Sequence, residues 1–314
     1  MSTPTIASDP SAVEVAAGDL NARFLPAFGM LGVSLRHRGA ELLRRVDDLD
    51  AAAAKGSTAG IPLLHPWANR LAGPSYRAAG RRVELAPTSP LLHLDGNGLP
   101  MHGVPWARLA WRVTAATASS VEAHLDWTGE RLSVFPYPHR LELAIDVRES
   151  SLRFATRLVA GRDGPVPVSF GFHPYLGLPG APRAEWRASL PAMTELLLDA
   201  RGIPTGEERP FPGMDGPLDG TDLDAGFAVL DERAAFSLAA AGRRVTLQLL
   251  SGYGYAQVFA PRGRDFVAFE PMTAPTAALC SGRGLRLVEP GGELRASFEV
   301  RVEITGPVTG DEAP

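Results

Sequence analysis

The sequence predicts an all-β protein, a large antiparallel β-sandwich or barrel. Three observations carry this. Segments in which apolar and polar side chains alternate recur along the chain, and helical periodicity is scarce. The 33 glycines and 28 prolines are spread through the 314 residues rather than gathered in a linker. Alternation at period two lets one face of a strand pack while the other stays wet. Dispersed Gly and Pro supply the turns that many short strands need.

Val83 and Leu85 alternate with polar neighbours in 81–87. In 120–127, Val121, Ala123, Leu125 and Trp127 share one face; in 140–147, Leu141, Leu143, Ile145 and Val147 do the same. The run 151–160 begins similarly with Leu152 and Phe154, and 243–250 and 294–304 complete the set. Residues 41–56 have the best helical spacing, through Leu42, Val46 and Leu49, and read equally as a short helix or as a strand followed by an exposed loop. No repeat or composition break divides the chain. One domain over 1–314 is expected, with frayed ends at about 1–12 and 307–314.

Hydrophobic residues make up 45% and charged residues 21%, as in an ordinary globular protein. A net charge of -4 gives no broad electrostatic reason for nucleic-acid binding. Cys280 is the single cysteine, so no intrachain disulfide framework is possible. No apolar stretch reaches membrane-spanning length, and the first residues lack the basic-then-apolar order of a leader peptide. A cytoplasmic protein with no membrane partner, monomeric or homodimeric, is the expectation.

Four constellations hold residues suited to chemistry. In 60–80, an apolar run leads into Trp67, Asn69 and Arg70. Arginine offers a rigid fork of donors for sugar hydroxyls or a carboxylate, or locks a turn against an acidic neighbour. Trp67 stacks on a sugar face or fills the core. In 97–111, His102 precedes Gly103, whose backbone freedom allows close approach. In 165–180, His173 follows an apolar run and precedes Pro174 and Tyr175. A side chain at a strand end is firmly held, which suits catalysis, though a histidine there also simply caps an edge. In 255–279, Glu270 ends the run Phe266–Phe269. A carboxylate leaving an apolar strand must be paired, bonded or protonated, and partial burial makes it a better base near neutral pH. CxxC, HExxH, Walker, dinucleotide-binding and GxSxG patterns are all missing. His102, His173 and Glu270 lack the close-spaced ligand pair of a metal site, so none is expected.

In order and flanks, these segments resemble the aldose 1-epimerase (galactose mutarotase) family, from about Gly29 to about Val300. PWANRLAG, MHG, FHPYLGL, DARGIPTG, LDAGF and QVFAP with FEPMTAPTAAL fall in the family's order. The resemblance implies the family's antiparallel β-supersandwich and an enzyme that interconverts α and β anomers of aldoses such as glucose or galactose without a cofactor. It implies His173 as general acid, Glu270 as general base and His102 as an aid near the ring oxygen. Arg70 and Asp224 would bind sugar hydroxyls, with Asn69, Trp67 and Tyr175 beside them. His173 protonated and Glu270 ionised in the free enzyme would give a bell-shaped pH profile. Departures are Phe172, where Asn is usual in the galactose enzymes, Leu176–Gly177–Leu178, and His65–Pro66–Trp67 before the Asn-Arg pair. They bear on the sugar more than on the chemistry. A hexose-6-phosphate epimerase is the sister reading, for which Arg77, Arg81 and Arg108 are available; a sugar-binding protein without catalysis and a purely structural sandwich are the others.

Overall fold

A computed structural model describes residues 5–46 and 48–307. Its strands are antiparallel and form two large sheets that face each other, a nine-stranded one and an eight-stranded one, with a four-stranded meander at Val13–Glu41. Five of the six alternating segments become the long strands of the nine-stranded sheet, Ser120–Trp127, His139–Arg148, Ser151–Ala160, Arg243–Ser251 and Glu293–Ile304, and the sixth, at 81–87, supplies Arg81–Glu84 to a separate two-stranded pair with Ser75–Ala78. Their apolar faces meet the second sheet. Phe154 stacks on Phe298 at 4.8 Å between ring centres, and Phe172 from the opposite sheet lies 5.2 Å from Phe298. Phe236 and Phe269 meet across the layers in the same way, at 5.7 Å. Phe172 therefore serves the core, and its departure from the family pattern does not touch the face that carries His173.

Segment 41–56 divides. Ala40–Glu41 is a short strand, and only Leu49–Lys55 is helical. Asp48 caps that helix by accepting from the Ala51 amide, and Gly56 closes it in the left-handed conformation. The expected fraying of 1–12 is too wide. Ile6 is buried, its amide donates to the Asp50 carboxylate, and strand Val13–Ala17 follows. Residues 1–4, and most of the expected C-terminal fray at 308–314, lie outside the described residues.

The eight-stranded sheet carries the candidate site. Its path runs Pro204–Phe211, Met193–Leu198, Leu223–Val229, Tyr255–Ala260, Val267–Met272, Gly171–Phe172 and Leu63–Leu64, with Tyr175–Leu176 also pairing Val267–Met272. Arg183 fastens three of these strands at one end. Its guanidinium donates to the carbonyls of Arg264, Phe266, Thr221 and Ala260, at 3.0–3.2 Å. Arg183→Met would leave all four acceptors without their donor. A loss of about 3 kcal/mol in urea unfolding is expected, since each buried unsatisfied group costs about 1–3 kcal/mol. A variant as stable as wild type would show that the clamp contributes nothing.

Candidate active site

Register brings the two principal residues together. Gly171 pairs with Met272 and Tyr175 with Ala268 on the same strand. The residues midway, His173 and Glu270, are therefore directly opposite each other and point to the same face. His173 Nε2 lies 3.1 Å from Glu270 Oε1, and both side chains are almost fully buried. Glu270 is interior to its strand, which continues through Pro271 to Met272, not at a strand end as its sequence suggests. On its other side Glu270 pairs with Gln257, and Gln257 pairs with Gly226. Gln257 Nε2 donates to Asp224 Oδ1 at 2.6 Å, which fixes Asp224 at the mouth of the site.

His102 joins from a separate loop. Its ring lies perpendicular to that of His173 with centres 5.5 Å apart. The loops 69–71 and 100–104 bond to one another, through the His102 amide to the Asn69 carbonyl at 2.8 Å and the Leu71 amide to the Pro100 carbonyl at 2.9 Å. Both Asn69 and His102 have left-handed backbones, at φ 54° and 62°. Non-glycine residues held there store strain of about 1–3 kcal/mol each, a mark of functional positions. Gly103 follows at φ 70°, and a Cβ on it would fall 2.2 Å from the His65 carbonyl oxygen. The loop that carries Asn69 and Arg70 is anchored below by two buried histidines. His139 Nδ1 must donate to the Tyr137 carbonyl 2.6 Å away, so its bare Nε2 accepts from His65 Nε2 at 2.9 Å.

Arg70 is aimed by two acceptors, Asp95 Oδ2 at 2.7 Å and Asn69 Oδ1 at 3.1 Å. Burial pushes the Asp95 carboxyl up, but the Leu99 amide, Arg70 and the Asn97 amide together hold it below its ordinary value. Tyr175 lays its ring flat on His173 at 4.2 Å, and its hydroxyl shares a hydrogen bond with Thr58 Oγ1 at 2.5 Å. It orients the histidine, with its hydroxyl engaged away from the pair. Trp67 is a correction. It is 1% exposed within the main hydrophobic cluster, its ring 6.3 Å from Tyr76, because burying the large ring there outweighs displaying it.

Burial sets the charges. It lowers His173 to about 3, and lowers His102 well below its usual value with help from the neighbouring His173 and Arg70. Glu270 is pushed well above the carboxylate range by burial and by Asp224, against the pull of Arg70. Both shifts run against the expected distribution, charged His173 with ionised Glu270, and favour the neutral histidine and the protonated carboxyl in the free site. The pair's proton count is the same either way. His102 Nδ1, His173 Nδ1 and Glu270 Oε2 are buried polar atoms with no partner in the protein, so the site has bonding capacity left over for a polar molecule. Among the described residues, no three His, Cys, Asp or Glu side chains converge as a metal-ligand set.

The sequence profile of the aldose 1-epimerase family matches residues 31–301. The chain belongs to the aldose 1-epimerase family. The protein YihR of Escherichia coli (strain K12) is 25% identical over 259 residues, spanning 76% of this chain and 80% of its own. The crystal structure of a galactose mutarotase-like protein from Clostridium acetobutylicum superposes with a TM-score of 0.81 at 18% identity, covering 93% of this chain and 95% of the other. The Slr1438 protein from Synechocystis sp. PCC 6803 gives 0.77 at 22% identity, over 98% and 99%. These structural likenesses establish the galactose mutarotase-like fold. Within this aldose 1-epimerase family member, His102, His173, Glu270, Arg70, Asn69 and Asp224 gather at one place, and Tyr175 flanks them. Asp95 and Gln257 belong there too and escaped sequence reasoning. Gln257 lies in the QVFAP stretch, and Asp95 opens the turn DGNG, an arrangement in which the side chain bonds amides two residues on.

Proposed function

We propose that the protein is a mutarotase that interconverts the α and β anomers of an aldohexose such as glucose or galactose. The observation that carries this is the buried His173–Glu270 cross-strand pair, 3.1 Å apart, with the charged groups of Arg70 and Asp224 near it. Ring opening needs a base at the C1 hydroxyl and an acid at the ring oxygen, a few ångströms apart. With the shared proton on His173, Glu270 takes the O1 proton while His173 protonates O5. The C1–O5 bond breaks as the C1–O1 double bond forms. Rotation about C1–C2 presents the other carbonyl face, and closure reverses both transfers, leaving the pair as it began. Nothing is oxidised and no group is carried, so these steps call for no cofactor. Arg70, held by Asp95, and Asp224, held by Gln257, bind hydroxyls on the rest of the ring. His102 assists near the ring oxygen.

The test is polarimetry of wild-type protein with pure α-glucose, α-galactose and glucose 6-phosphate. Equilibration of a free aldose well above the buffer rate is expected. Preference for the phosphate would favour the sister reading, and binding without acceleration would favour a sugar-binding protein.

The pH profile gives a second check. The pair is competent while it holds one proton. Because burial moves His173 down and Glu270 up, that state spans a wide range. A broad plateau of kcat/KM through pH 6.5 is expected while the protein stays folded, in place of a narrow bell. An acid limb centred near 6.5, the ordinary value for histidine, would contradict this assignment.

A further inference from the structure

Every polar group of Tyr175 is already engaged. Its amide donates to the Gly60 carbonyl, and its carbonyl accepts from the Arg44 amide, each at 2.9 Å. Its hydroxyl is bonded to Thr58 Oγ1, and the Phe266 ring meets it at a steep angle with centres 5.2 Å apart. What it offers the site is a ring face. That face lies against His173, with 17° between planes and 4.2 Å between centres. His102 and Phe259, the other rings beside His173, are steeply inclined to it, at 86° and 77°.

Ring opening needs a charged His173 and an ionised Glu270. Burial favours the opposite arrangement in the free site. To reach the reactive state, the Glu270 O–H bond breaks and an N–H bond forms on His173, 3.1 Å away. The step moves one proton and leaves an imidazolium beside a carboxylate, both out of water. Arg70 favours the carboxylate. The imidazolium needs its own support. A cation over an aromatic face, within ~6 Å of the ring centre, is attracted by the negative potential of that face. The stacked Tyr175 ring meets this condition for a charged His173. Arg44 also approaches that ring, but at 5.8 Å; it lies closer to Phe266, at 4.7 Å, and is exposed, so water screens its charge.

We propose that Tyr175 is a positioning residue for the shared proton: its ring face stabilises the His173 imidazolium and so raises the population of the state that opens the sugar ring. The inference rests on the mutarotase reading. The reactive state is the minor one in the free site, so the rate follows its population directly. A desolvated cation–ring contact changes such a population by about ten- to thirtyfold. The family resemblance instead puts Tyr175 beside the sugar. A sugar contact would be felt in KM, whereas support for the imidazolium is felt in kcat.

The experiment compares wild type with Tyr175→Leu, Tyr175→Phe and variants that carry mono-, di- or trifluorinated phenylalanine at this position. Mutarotation of glucose and galactose is followed by polarimetry, with thermal unfolding of each protein. Fluorine withdraws electron density from the ring face and leaves its shape nearly unchanged. Tyr175→Leu should lower kcat about tenfold or more and leave KM in place. Tyr175→Phe, which keeps a ring face, should recover most of that loss. Along the fluorinated series kcat should fall with each added fluorine, at a constant unfolding midpoint. A ring that only fills space would give one rate throughout the series, and that result overturns the proposal. So does a loss confined to KM. Should Tyr175→Leu fail to fold, the fluorinated series decides alone. A wild type that accelerates neither sugar would overturn the mutarotase reading, and this role of Tyr175 with it.

Discussion

Glu270→Gln is expected to lower mutarotation by about a thousandfold while leaving the protein as stable as wild type or more so. Glutamine has the same shape but cannot accept the O1 proton, and a positioned acid or base contributes about 10²–10⁴-fold. Stability should not fall, because burial opposes the charge on Glu270 and a neutral amide removes that cost. His173→Asn should lose a similar factor. The two groups pass one proton between them, so the double variant should be little worse than either single one. Polarimetry with thermal unfolding of each variant decides this. Near-normal rates in folded variants would refute the acid–base assignment, and multiplicative losses would mean that the residues act independently.

The second large effect is expected in acid. His65, His102, His139 and His173 are buried and all pushed down by burial, His139 to about 4. Each stays neutral in the fold but takes a proton near pH 6.5 in the unfolded chain. The stability linked to them is full above about pH 6.5 and is lost as pH falls toward their folded values. Glu270 has the opposite sign. Its raised value favours the fold below about 4.5, and that contribution is lost as pH rises through its folded value. Between about pH 4.5 and 6.5 the unfolded chain therefore binds about three more protons, and stability should fall by about 4 kcal/mol per pH unit. Unfolding midpoints measured from pH 8 to 4.5 should not fall before about pH 6.5, where only Glu270 acts and favours the lower pH, and should then drop steeply. His139→Asn should make the slope shallower by about one proton. A flat midpoint down to pH 5 would show that these histidines are not neutral in the fold.

Long strands were legible because their alternation is long enough to define a face. The prediction for 120–127 coincides with strand Ser120–Trp127, and 140–147 lies within His139–Arg148. The candidate site sits on much shorter pieces. Gly171–Phe172 and Tyr175–Leu176 are two residues each and show no periodicity. That His173 opposes Glu270, 97 positions away, depends on register, which no local pattern encodes. Motif order could suggest both residues but not their pairing. Asp95 and Gln257 were missed because one reads as a turn residue and the other as a polar residue in an apolar strand. Trp67 was misplaced because an aromatic ring beside Arg70 looks the same in sequence whether it faces a ligand or the core. The helix at Leu49–Lys55 was blurred by the strand just before it, although Asp48 and Gly56 mark its ends.

The row His173, Glu270, Gln257 and Gly226 has an implication for how recognition can change. The separation of His173 and Glu270 follows from antiparallel register on either side of them, not from an adaptable loop. The other squares of that row, Gln257 and Gly226, can be exchanged one at a time to alter what the site holds. Redesign of the site can thus proceed square by square, with the His173–Glu270 separation held constant by backbone pairing.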